Sequence, residues 1–468
     1  MNNRREITLV VALCMACSVL GAEWTWDYSG GGFFWLRATS RIGPSLCLLW
    51  FGMNTGAFRT RSGARKDFAM VGGLLVLGSL LFQKMVDVSD VEKQAVFDYS
   101  LLGAIQAVLC GFMGYWIAQD EQEIGWLFRR IALACALGSL LGGCTRAAGL
   151  EAYPFIVPTW PARLVFLFGY CWYLHQWLIS QPMRLGGLLG VAACSAEVWI
   201  SFHKPIVFSA SVASVFLCCY SLWTTRRPAI ILQRMAALVV LATTAFVVVN
   251  AITSGRLVSQ VEEIVYERFL HQLAPAVSGA GLSGAGLDLE LAAGGRYDLW
   301  TVAVARFKAH PLFGSGFGQS ISGTVAGFEG VYLHNWYLDY LVSLGIVGTI
   351  PIFAALLWWL KLVTNRKVIS RAGNVVVPCL SYIVGLMAYN LGGSIRAFFS
   401  MTSFAVLVMA IVARMADRAL APTSSTTDGQ SLLRTPVPSP RKPNRAGRPS
   451  PRALVHRQRR WREGETHD

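Results

Sequence analysis

The sequence predicts an all-α polytopic membrane protein with about 12 transmembrane helices and one large extracytoplasmic loop. Three observations predict it. Only 14% of the 468 residues are charged and 54% are hydrophobic, whereas a soluble globular chain carries about 25% charged residues. Apolar runs near the length that crosses a bilayer recur through most of the chain. Positive charge gathers in alternate short loops, the bias that marks the cytoplasmic side.

The expected spans are 7–22, 42–58, 68–86, 99–118, 126–148, 162–180, 185–200, 205–223, 229–252, 336–360, 375–394 and 398–416. The first follows Arg4-Arg5 and ends near Gly21-Ala22, so it also fits a cleaved secretory leader. Arg59, Arg61, Arg65 and Lys66 lie between the second and third spans. Arg226 and Arg227 lie between the eighth and ninth. Lys361, Arg366, Lys367 and Arg371 follow the tenth. With twelve spans all of these fall on one side, which makes that side and both termini cytoplasmic. The net charge of +15 is thereby accounted for by topology and indicates no nucleic-acid partner.

Four regions follow from this. Residues 1–253 hold helices one to nine, 254–333 a periplasmic loop domain, 334–418 the last three helices, and 419–468 a disordered basic cytoplasmic tail. The eleven cysteines all fall inside expected spans, so no disulfide framework is predicted. Cys14 and Cys17 have redox-motif spacing but sit in the first apolar segment, where small apolar filler is the ordinary role.

A loop as long as 254–333 is improbable unless it is functional. Val258 to Leu273 has helical apolar spacing, and the Gly-, Ser- and Ala-rich stretch 278–286 is a flexible connection. A second helix is expected from Arg296 to Ala309, stopped by His310-Pro311. The segment Gly314-Ser315-Gly316-Phe317-Gly318 lacks the Lys-Ser/Thr of a nucleotide-binding P-loop, and is read as a backbone turn. At the loop's exit stand His334 and Asn335. Positions 334, 338, 341, 345 and 348 share one face of a helix, placing an imidazole at the membrane surface. Gly345 and Gly348 lie deeper, where a neighbouring helix could approach. A histidine titrates near neutral pH and suits a general base. The plain alternative is an interfacial histidine in an aromatic belt with Trp336 and Tyr337.

Arg296-Tyr297-Asp298-Leu299-Trp300, then His310 to Gly318, then His334-Asn335 with Leu338, Leu341, Gly345 and Gly348 resembles the signature of the O-antigen ligase/polymerase superfamily. The resemblance implies a GT-C-like, metal-independent transferase that needs no cofactor. Such an enzyme moves a glycan from a polyprenyl diphosphate carrier on the periplasmic face of the bacterial inner membrane. It makes His334 the candidate base or acceptor-positioning group and Arg296 a diphosphate ligand, a role that the planar guanidinium fork suits. Lys204, where relatives carry Ser-Arg, and Arg396 are further candidate cations; lysine binds phosphate as a point charge and loses the bidentate geometry. Asn335, Gly314 and Gly316 are supporting residues. Among other outward cations, Arg146 stands out with Arg396 for lying at a span's end, where charge is costly; Arg37, Arg41, Arg163, Arg256 and Arg306 complete the set. The expected partners are the carrier-linked glycan, a glycan or lipid A-core acceptor, and the bilayer. Ligation and polymerisation remain alternatives. Two non-superfamily alternatives are a metal-dependent transferase using Glu23 and Asp27, and a polytopic transporter without chemistry, although no internal repeat of the transporter kind is visible.

Overall fold

A computed structural model describes residues 46–47, 50, 102–118, 121–147, 160–179, 185–200, 204–224, 228–252, 296–315, 335–392 and 399–421. The expected spans 7–22, 42–58 and 68–86 lie outside these residues apart from helical Leu46, Cys47 and Trp50. The described residues are helical, in chain order α1 (Leu102–Ile117), α2 (Glu121–Ala147), α3 (Trp160–Ile179), α4 (Leu185–Ile200), α5 (Lys204–Thr224) and α6 (Pro228–Ile252). Then follow α7 (Arg296–Ala309), α8 (Trp336–Val363), α9 (Arg366–Gly392) and α10 (Phe399–Leu420). Nine of these match the fourth to twelfth expected spans, and α7 has the bounds expected of the loop helix. α9 begins at Arg366, nine residues ahead of the apolar run. Helix propensity carries a polar first turn and a half, and the departure of Ala372 (φ −126°, ψ 15°) kinks the helix where the apolar stretch takes over.

Among the described residues, four helical stretches are long and apolar enough to cross a bilayer: Ile124–Cys144, Pro205–Thr224, Trp336–Val363 and Arg366–Leu391. Their outer sides carry exposed Leu137, Val215, Ile350 and Leu357. Leu and Val at such positions are stable only against lipid or another apolar surface. α3 is central, packing on α2, α4, α5, α6, α9 and α10. Its Phe168 meets Phe128 at 5.3 Å, and Tyr382 and Phe404 edge-on at 5.5 and 5.4 Å. Gly169 lets α2 and α4 approach: a Cβ there would stand 2.5 Å from the Cys135 Cβ and 2.9 Å from the Cys194 Sγ. Small residues at crossings and hydroxyls bonded across them are the usual means of holding membrane helices together. Ser139 donates to the Cys194 carbonyl at 3.0 Å and Ser381 to the Ala213 carbonyl at 3.1 Å.

Candidate functional site

The sequence stripe 334-338-341-345-348 is corrected by the structure. Gly345 has φ 63° and ψ −168°, so α8 is two helices joined at a break and the stripe does not continue through it. Nor is the close neighbour a helix. Residues 311–315, the turn after α7, dock on the break: the Ile346 N–H donates to the Pro311 carbonyl at 2.9 Å and the Val347 N–H to the Leu312 carbonyl at 3.0 Å. In return the Ser315 N–H donates to the Val342 carbonyl at 2.7 Å and its hydroxyl donates to the same oxygen at 3.2 Å. Gly314, with φ 72°, is the partner in this joint; a Cβ on it would stand 2.5 Å from the Ser343 carbonyl oxygen. Non-helical backbone is tolerated within a span only where its polar groups are satisfied inside the protein, and here the turn satisfies those that the break frees. Gly314 is therefore a backbone turn, as its sequence context indicates, and the surface that it requires is Gly345.

The joint also orients α7. Pro311 and Leu312 lie opposite Ile346 and Val347, whereas Ala303, Trp300 and Phe307 of α7 pack with Val342 and Leu338. This order makes the pair parallel, so the Arg296 end of α7 lies at the Asn335 end of α8. Asn335 (φ −146°, ψ 106°) caps α8: its side-chain oxygen accepts from the Leu338 N–H at 3.1 Å. Asn335 Nδ2 also donates to the Leu391 carbonyl at 3.4 Å, and the Tyr337 hydroxyl donates to the Met387 carbonyl at 3.0 Å. These bonds tie the start of α8 to the end of α9, the capping at Asn335 using an otherwise unpaired helix N–H.

α5 reaches the same end from the other side. Ser381 bonds the Ala213 carbonyl, and a Cβ on Gly385 would stand 3.2 Å from the Ser209 carbonyl oxygen. α5 and α9 are thus antiparallel, and their register continues to set Asn390 level with Lys204. α3 runs parallel to α5, with Tyr170 and Ser214 hydroxyls 2.8 Å apart, which brings its early residue Arg163 to that end as well. Arg163, Asp339 and Asn390 are all buried. Sequence reasoning gave Arg163 no special weight and missed Asp339 and Asn390. Their signal was available: ionisable and amide groups within apolar spans are costly and are retained for a purpose.

The backbone thus brings the helix starts at Arg296 and Lys204 and the cap Asn335 to one end of the bundle. His334, Gly316 and Arg396 lie outside the described residues; His334 immediately precedes the cap, and Arg396 falls in sequence between α9 and α10. Arg146 is in α2, while Glu23 and Asp27 lie outside the described residues. Comparison with curated proteins finds no match. Residues 205–353 match the family model described as O-antigen ligase, a stretch that runs from the first turn of α5 through α7 and the docked turn to the second half of α8. Over this stretch the chain is similar to O-antigen ligases, and four of its described helical stretches are long and apolar enough to make it a multi-pass membrane protein.

Proposed function

We propose that this protein is a glycan transferase of the bacterial inner membrane. It moves a glycan from a polyprenyl diphosphate carrier to a hydroxyl acceptor on the periplasmic face, in the manner of an O-antigen ligase acting on lipid A-core. The observation that carries the reading is the convergence of α5, α7 and α8 at one end, since a sugar–diphosphate donor needs cations and a base within one substrate's reach. Arg296, with Lys204 or Arg396, neutralises the leaving diphosphate; buried Arg163 adds a charge at the same end. His334 takes the proton of the acceptor hydroxyl or orients that hydroxyl. The acceptor oxygen attacks the anomeric carbon, the bond from that carbon to the diphosphate oxygen breaks, and the carrier diphosphate leaves with the electron pair. Asn335 holds the backbone after His334 through its two bonds.

The test uses the purified full chain, radiolabelled carrier-linked glycan and a lipid A-core acceptor. Wild type releases carrier diphosphate, and His334→Ala does not, at equal membrane level. Retained release by His334→Ala returns that residue to the aromatic belt. No release by wild type with any acceptor overturns the enzymatic reading. In a deletion strain, bare core with accumulated carrier-linked polymer identifies a ligase, and short unpolymerised units on core identify a polymerase.

A further inference from the structure

At the opposite end of the bundle the last turns of α3 and α5 and the first two turns of α6 enclose a cavity of about 140 Å3. Leu178, Ile179, Ser221, Thr224, Ile231 and Arg234 line it. α5 is 21 residues long, about 30 Å at the helical rise, so the cavity lies roughly a bilayer's thickness from the Lys204 end.

Three features of the wall favour an anion. Arg234 is 5% exposed; its Nη1 donates to the Trp177 and Leu178 carbonyls at 2.9 and 2.8 Å, while Trp177 Nε1 donates to the Arg234 carbonyl at 3.1 Å. These bonds fix the guanidinium in the cavity wall against the negative end of α3. α6 starts at Pro228, so its first-turn amides, with Ile231 on the wall, point toward this end without intrahelical acceptors. The third feature is independent of both. Ser221 is 1% exposed and its hydroxyl has no hydrogen-bond partner. Ser209, Ser211 and Ser214 of the same helix each donate to the carbonyl four residues earlier, at 2.7, 2.9 and 2.6 Å. A buried hydroxyl turned from that bond toward a polar cavity is poised to donate to a ligand.

We infer that this cavity binds a phosphate oxyanion, with Arg234 supplying charge and Ser221 a hydrogen bond. The neighbouring surface indicates the carrier of that phosphate. Leu222, Trp223 and Leu232 are exposed beside it, with Trp223 at 73%, and Arg226 and Arg227 fall in sequence between α5 and α6. An apolar rim with an exposed indole and a basic connection matches an anionic phospholipid, its headgroup in the cavity and its acyl chains along the helices.

The test is thermal unfolding of the purified full chain in maltoside micelles with three additions: phosphatidylglycerol, diacylglycerol of the same acyl chains, or inorganic phosphate replacing chloride at constant ionic strength. Wild type is stabilised by phosphatidylglycerol and not by diacylglycerol. Stabilisation by inorganic phosphate alone supports the oxyanion site with a soluble occupant. Ser221→Phe fills the cavity and abolishes either response, with unchanged unfolding in micelles alone. Should that variant fail to fold, Ser221→Ala, which removes only the donor, weakens the apparent affinity about ten-fold, the loss of one hydrogen bond. Equal responses of wild type to phosphatidylglycerol and diacylglycerol, with none to inorganic phosphate, overturn the inference. So does full selectivity in both Ser221 variants.

Discussion

Gly345→Ala tests the joint between the loop turn and α8. Gly345 sits at φ 63° and ψ −168°, a region essentially reserved for glycine, where another residue costs about 1–3 kcal/mol. The added methyl would stand 2.5 Å from the Gly314 nitrogen and against the Leu312 carbonyl, so the turn must lift away. Lifting it breaks the four hydrogen bonds from Ile346, Val347 and Ser315, each contributing about 0.5–1.5 kcal/mol. Together these come to on the order of 4 kcal/mol, enough to depopulate the docked turn by about a thousandfold. The main core is built from α1 to α6 with α8 to α10, whereas α7 packs in a small cluster around Ala303 and Val342. The bundle therefore stays folded while α7 loses its register. Carrier diphosphate release is expected to fall by at least about 100-fold, the loss typical of a displaced substrate-positioning group. Membrane level and unfolding temperature should change little. Gly125→Ala is the control, since a Cβ there meets nothing within 4 Å and alanine gains about 0.5–1 kcal/mol in a helix interior. Wild-type turnover by Gly345→Ala, with protein at normal level, would refute the joint as the element that orients α7.

Asn335→Ala removes the cap on Leu338 and the bond to the Leu391 carbonyl; a loss of about 1 kcal/mol in stability is expected, read by denaturation in detergent, with Asn335→Asp restoring the cap. Leu312 and Phe313, each 57% exposed beside exposed Ile346 and Val347, are expected to face hydrocarbon. A bimane label on Leu312→Cys in a background freed of the native cysteines should be quenched by brominated lipid and should react slowly with a polar maleimide. Fast polar labelling would place the turn in water. Turnover is expected to survive chelation by EDTA; its loss would favour the acidic first-loop reading through Glu23 and Asp27.

Helix extent was legible because apolar transfer and helix capping are local. The runs at 185–200 and 229–252 gave α4 and α6 to within a residue, and His310-Pro311 marked the end of α7. The candidate site was legible only as a set of positions, since Arg296, Lys204 and Asn335 each stand at a helix start, where polar groups interrupt apolar runs. The geometry was not. Gly345 fits helical spacing as well as any residue, and nothing near it in sequence announces a break. The break is stable only because a turn some thirty residues earlier supplies acceptors and donors for the groups it frees. Burial of Arg163, Asp339 and Asn390 is likewise a property of helices that are distant in the chain.

By itself the sequence determined a membrane protein, the number and order of its later helices, the loop helix and the likeness of residues 205–353 to O-antigen ligases. Only the tertiary structure decided that α5 and α9 run antiparallel, that α7 lies parallel to α8, and that Arg296, Lys204 and Asn335 reach one end together. Hydrophobic length is written residue by residue, whereas register comes from hydroxyl–carbonyl bonds and glycine contacts between helices whose partners the chain order does not name.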